Sequence, residues 1–358
     1  MPISPTRVED AVQRRSFLAG AAGLAAGVPV SAPGRAAART GASDPATYAR
    51  TTTRLREQYW THEPARLLPK VARHVRVGAG LLAHRPDTRV AAAVAESALL
   101  VSRIAFFDLQ LGSERVEPWQ DLALAAADTA GDGSLGAAVL GHMVFAPAWS
   151  GRGAEARGRL DAARARARRG GAGPVVHAWL DAVASEAEVR LGNPSGAFRL
   201  LDRAAATLAP VPSDGPAHGT PAWLDWFSGP RLDGFRGAAE LAAGRADQAR
   251  ASLNRTLAGL SPEADKQRAV TVADLAAAAA SAREPEDACG LLHDVLDLVE
   301  RQGYATAVDR VRTVRATLAP WSGERCVTEL DDRLASGAGR AAPPHEGAEP
   351  PHLPDPAA

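Results

Sequence analysis

The chain has 358 residues, and its 41 Lys+Arg are balanced by 41 Asp+Glu, so the formal net charge is zero. No basic excess exists to drive sequence-independent nucleic-acid binding. The two cysteines, Cys289 and Cys326, belong to no CxxC pair; this excludes a disulfide framework and argues against a cysteine-type zinc site.

Residues 1–43 carry two readings. Arg14, Arg15, Phe17 and Leu18 form an RRxFL motif ahead of an apolar run broken by glycines, and Ala36-Ala37-Ala38 has the look of a small-residue cleavage site. That order of parts fits a twin-arginine export signal. The alternative is a cytosolic connecting segment. The apolar run is too short for a stable membrane span.

Asp44-Pro45 opens the first helix, the aspartate as N-cap and the proline in the first turn. Glu63-Pro64 opens a second, with Leu67, Leu68, Val71, His74, Val75, Ala79 and Leu82 along one face. Residues 87–111 read as one long apolar helix with 113–130 as its partner. Pairs then follow in order: 132–149 with 152–169, 175–191 with 194–208, 221–243 with 246–260, 261–282 with 284–301, and 304–318 with 322–334. Residues 209–220 are a Pro/Gly-rich loop that belongs on the surface. The tail, 335–358, has no periodic apolar face and is expected to be disordered.

Four stretches within these pairs are alike. They begin at Gly151, Gly192, Gly244 and Arg283. Five residues on stands an alanine (Ala156, Ala197, Ala249, Ala288), and nine residues on a leucine (Leu160, Leu201, Leu253, Leu292). A turn, a small residue and a leucine recurring every 34–47 residues or so mark helical-hairpin repeats. Residues 44–334 therefore read as all-α, a tetratricopeptide-like helical-hairpin repeat array, or α-solenoid. The small residue lets a neighbouring helix approach and the leucine fills the space beside it.

Little in the chain points to chemistry. No alternating strand pattern, phosphate-binding glycine loop, zinc-protease motif or nucleophile elbow is present, and no nucleophile is paired with a base. The expectation is a protein that is not an enzyme, with no catalytic, cofactor or metal residues. His142 and His177 read as packed histidines within apolar helices, and Cys289 as a small buried hydrophobe. Arg164, Arg166, Arg168 and Arg169 stand where cations complement a helix C-terminus. The unusual stretch is Trp223-Leu224-Asp225-Trp226-Phe227. Read as helix, it puts Trp223, Trp226 and Phe227 on one side, either as a plug between hairpins or as anchors for a partner.

These features resemble the tetratricopeptide-like C-terminal region of actinobacterial helix-turn-helix transcriptional regulators. The likeness rests on Arg14 to Leu18, on Ala127 to Asp132 (ADTAGD), on Pro221 to Phe227 (PAWLDWF) and on Gly244 to Ala249 (GRADQA). In that family an RRxFL segment joins a DNA-binding head to the repeats, within a cytosolic chain. Only the stretch before Arg14 stands ahead of the motif here, and a head needs on the order of 50 residues. The resemblance thus implies a cytoplasmic regulatory or sensor module without its own head, binding a peptide or protein partner in the repeat groove and not DNA directly, with self-association left open. Two alternatives stay open: a regulator acting through a missing or partner-supplied head, and a binding protein exported by the twin-arginine route.

Overall fold

The computed structural model describes residues 44–211 and 220–336. The RRxFL motif, residues 212–219 of the Pro/Gly-rich loop, and the tail beyond Ser336 lie outside the described residues. Every regular element among them is helical. In chain order they are α1 (Pro45–Gln58), α2 (Pro64–His84), α3 (Thr88–Arg103), a π-turn (Ile104–Asp108), α4 (Ser113–Ala130), α5 (Gly133–His142), α6 (Phe145–Trp149), α7 (Gly153–Arg169), α8 (Pro174–Arg190) and α9 (Pro194–Leu208). A 3₁₀ turn (Ala222–Leu224) leads to α10 (Gly229–Ala242), α11 (Ala246–Ala258), α12 (Asp265–Ser281), α13 (Pro285–Gln302) and α14 (Ala305–Thr317). A last 3₁₀ turn (Ala319–Trp321) precedes α15 (Arg325–Ala335). Chain neighbours pack together: α3 on α4, α8 on α9, α10 on α11, α12 on α13.

Local chemistry explains most boundaries. Asp44 caps α1 by accepting from the amides of Ala46 and Thr47, with Pro45 in the first turn. Asp87 and Asp132 cap α3 and α5 in the same manner. Pro118 lies inside α4, in its second turn, and the helix continues through it.

Four expected helices are shorter or broken. The helix expected over 87–111 leaves α geometry after Arg103 and ends in the π-turn. The helix expected over 132–149 splits into α5 and α6, because the ring of Pro147 crowds the carbonyl four residues back. That carbonyl, of Met143, accepts from Arg159 Nη1 at 2.5 Å instead. The helix expected to start at Pro221 starts at Gly229, because Pro230 fits only a first turn and Ser228 before it is extended. The helix expected from Ser261 starts at Asp265.

The four alike stretches fold alike. Gly151, Gly192, Gly244 and Arg283 all have left-handed φ, at 73°, 75°, 71° and 66°. The amide after each closes back on the preceding helix at 2.8–3.0 Å: Arg152 on Pro147, Asn193 on Glu188, Arg245 on Glu240 and Glu284 on Ala279. This is the Schellman end of a helix. Glycine takes the left-handed position without a Cβ clash, and the fourth copy holds an arginine there. The four alanines are fully buried and the four leucines nearly so. Leu253 packs so tightly on Gly237 that a Cβ there would lie 2.6 Å from its Cγ.

The apolar interior comes in parts. One core runs from Tyr48 to Ala239 and centres on Trp119 and Trp179; a second runs from Ala269 to Leu330. Ala249 and Leu253 of α11 with Leu275 lie between them. The segment Thr88–Asp108 is long and apolar enough to cross a membrane, but most of it is buried in the first core. The two parts also meet far from that junction. Thr306 donates to the carbonyl of Phe107 at 2.6 Å, and Lys266 to Asp108 at 2.6 Å. The chain therefore curls back on itself around a cavity.

Candidate functional site

The cavity begins at the π-turn. A π-turn widens a helix by one residue and turns a side chain or carbonyl out of register. Here Leu109 closes on Ile104 at 3.0 Å, and Asp108 faces inward with no exposure. Its carboxylate accepts from Lys266 Nζ and, at 3.3 Å, from the Tyr59 hydroxyl. Lys266 also sits 3.7 Å above the Tyr59 ring. Burial pushes Asp108 up and Lys266 down, and the contact between them opposes both shifts. The Tyr59 phenol is driven well above its usual range by burial and by the nearby Asp108.

An aromatic wall adjoins this pair. Trp179 lies against His142 (4.9 Å between centroids), Phe145 against Phe107 (5.0 Å), and Phe106 against Trp149 (5.1 Å). Gly141 permits the first contact, since a Cβ there would lie 2.6 Å from the Trp179 ring. His142 donates from Nδ1 to the Ala138 carbonyl at 2.9 Å. Burial, then the Arg103 charge, hold its pKa down at about 3, so it stays neutral. Arg103 stacks on Tyr59 at 4.7 Å and on Trp226 at 5.2 Å.

Two compartments open inside this wall. One holds about 730 Å³ of space, solvent mouth included, and is lined by Trp60, Arg103, Phe107, Trp149, Trp226 and Lys266 among others. The other holds about 930 Å³ on the same measure, beside Asp274, Arg190 and Leu253. Glu186, Arg231, Phe235, Val270 and Arg310 border both. The lining helices of the aromatic compartment include α8, α10, α12 and α14, the first member of each successive pair.

The shared border is where charges are left over. Arg310 pairs with Asp274 through Nη1, but its Nε is buried and has no hydrogen-bond partner. Arg231 Nε is likewise buried and without a partner. Among the described residues Arg231 makes no ion pair; its guanidinium lies 5.1 Å over the Phe235 ring. Glu186 accepts from the Trp149 indole at 3.2 Å. The Tyr304 phenol, raised to about 12 by burial and then by Asp108, lines the same space.

The three aromatic candidates read from the sequence part company. Trp223, Trp226 and Phe227 do not share one side of a helix, because only Ala222–Leu224 is helical and that turn is 3₁₀. Phe227 is a core residue at 4% exposure. Trp223 is half-buried against the first core. Trp226 lines the aromatic compartment, its indole N–H donating to the Trp223 carbonyl at 3.2 Å. Elsewhere, Arg164 and Arg166 pair with Asp181 and Asp128. Cys289 is a buried free thiol, and burial with a hydrogen bond to the free thiol of Cys326 pushes it up to about 12. Among the described residues no group of three or more His, Cys, Asp and Glu is placed to hold a metal ion.

Comparison of the chain with protein-family models, with curated proteins and with solved structures finds no match.

Sequence reasoning missed Asp108, Lys266, Arg231 and Arg310. One signal stood in the open. Lys266 is one of two lysines in a chain otherwise supplied with arginine. A compact ammonium serves where a guanidinium fork does not fit.

Proposed function

We propose that this chain is a non-enzymatic binding module: an array of tetratricopeptide-like hairpins, related to the repeat regions of actinobacterial helix-turn-helix regulators, that takes its ligand in the central cavity. The observation that carries this is the convergence of aromatic rings and incompletely paired cations on one cavity, lined by the first helix of successive pairs. Arrays of stacked hairpins bind along the concave face that these first helices line. The alike turns and buried alanine–leucine positions support the repeat reading. A recess lined by aromatic rings and a few polar groups suits a small molecule or the end of a peptide, so a protein partner would enter by a terminal or extended segment.

The test combines native mass spectrometry of protein taken from its own cells with thermal scans against short peptides and small aromatic compounds. The parent should retain or be stabilised by a ligand. Trp226→Ala should lose that ligand with its own thermal midpoint near the parent's, whereas Phe227→Ala should unfold early through loss of core packing. Absence of any binder to the parent, or ligand retention by Trp226→Ala, would count against the cavity.

A further inference from the structure

The border between the two compartments carries more cations than carboxylates. The whole chain has no net charge. The two compartments together are lined by Arg103, Arg190, Arg231, Lys266 and Arg310, against the carboxylates Glu186 and Asp274, with Asp108 behind Lys266 as a third. Five cations thus face three anions. Three of the lining cations are engaged: Lys266 by Asp108, Arg310 by Asp274 on one edge, and Arg190 over the Trp149 ring at 4.8 Å. Arg103 is sandwiched between rings. Arg231 has only the face of Phe235 beneath it.

We propose that Arg231 and Arg310 together seat the carboxylate of an aromatic or similarly flat apolar ligand, whose body lies in the compartment walled by Trp149, Trp226 and Phe235. The proposal rests on the cavity reading above and names the chemistry of its occupant. A guanidinium edge with a free Nε matches a planar carboxylate, which can accept two parallel N–H bonds. Desolvation of an unpaired guanidinium is costly, and an arriving monoanion relieves that cost. The carboxylate has two sources, a free small acid or a peptide C-terminus, and both present the same group to the arginines.

Two matched pairs of probes separate these cases by calorimetry: indole-3-propionate against indole-3-propionamide, and the peptide Gly-Ala-Trp against its C-terminal amide. At least one acid should bind the parent on the order of tenfold or more tighter than its amide, a difference of about 1.4 kcal/mol. The pair that does so names the source. In Arg231→Met the preference should collapse while the unliganded protein melts at or above the parent's temperature, because a half-buried guanidinium with no ion pair and an unpartnered Nε has been removed. Arg231→Lys, which keeps the charge and loses the fork, should fall between. Acid and amide binding equally well overturns the carboxylate seat and leaves the cavity standing as a binding site. No binding by any probe, a preference that survives Arg231→Met, or a lowered melting temperature for that variant, which would make Arg231 a structural residue, also overturns the seat.

Discussion

Two clusters of buried charge face the same cavity and are built on different terms. At one end, Asp108 and Lys266 are 0% and 2% exposed, and the carboxylate takes both the ammonium and a tyrosine hydroxyl. At the other, Asp274 and Arg310 are 11% and 24% exposed at their side chains, and Arg231 stands beside them without a carboxylate of its own. Desolvating an ion pair is repaid only when geometry and remaining hydrogen bonds are complete. The first cluster is complete and joins the π-turn to α12. The second is incomplete, and its spare donors have no partner among the described residues.

The largest effect should come from breaking the complete cluster. Lys266→Met leaves Asp108 buried without its counterion and should cost about 3–5 kcal/mol in denaturant unfolding. Asp108→Leu added to it should recover much of that loss. If Lys266→Met unfolds like the parent, the pair is not holding α12 to the π-turn.

Acid should come next, acting beside the complete cluster through His142. Its folded pKa, about 3, lies well below the ordinary histidine value of 6.5. The unfolded chain therefore takes up this proton first as pH falls. The stability contribution is fully present above pH 6.5 and is lost progressively toward pH 3, at about 1.4 kcal/mol per pH unit. His142→Gln should flatten the pH dependence by that slope between pH 6.5 and 4; equal slopes in parent and variant would contradict the buried, neutral histidine. His74, lowered to about 4 by burial, adds a slope of the same sign in both proteins.

Opening the incomplete cluster should cost less. Arg310→Met strips Asp274 of its partner, but the Arg231 charge stands close to it, so a loss of about 1–3 kcal/mol is expected. A loss as large as that of Lys266→Met would erase the distinction between the two clusters. The smallest effect belongs away from both, at the turn Arg283. Arg283→Gly relieves a left-handed arginine and should gain no more than about 1 kcal/mol. A loss there would mean that the Arg283 side chain, 5.8 Å over Trp321, contributes more than the strain costs.

What could be read beforehand divides along sequence distance. The glycine-led turns, with their alanine and leucine, are complete within thirteen residues, so the pattern, the burial and the helical class could be inferred together. Helix ends set by a local proline or aspartate were within reach too. Two of the errors fell where a residue looked helical in its own window but a later proline ruled against it, as Pro230 did for Trp226 and Pro147 for Met143. The cavity could not be read at all. Asp108 and Lys266 are 158 residues apart, and Thr306 and Phe107 are 199 apart. No periodicity brings such positions together. Trp226 was noticed for its size, but its place beside the compartment is shared with Arg103, which lies at the end of α3, far back in the chain.

The joint at the π-turn also bears on how the molecule comes apart. Stacked hairpins that touch only their neighbours can fray from either end, one unit at a time. Here α12 and α14 are tied by Lys266 and Thr306 to the end of α3, across most of the described chain. Closing a loop of that length costs entropy before the contact returns anything, so such a joint forms late in folding. Once it has formed, the C-terminal helices cannot peel away without exposing Asp108, and unfolding becomes a concerted event. Amide exchange should then show α12 and α14 opening together with the π-turn, in one cooperative unit made from parts that lie far apart in the chain.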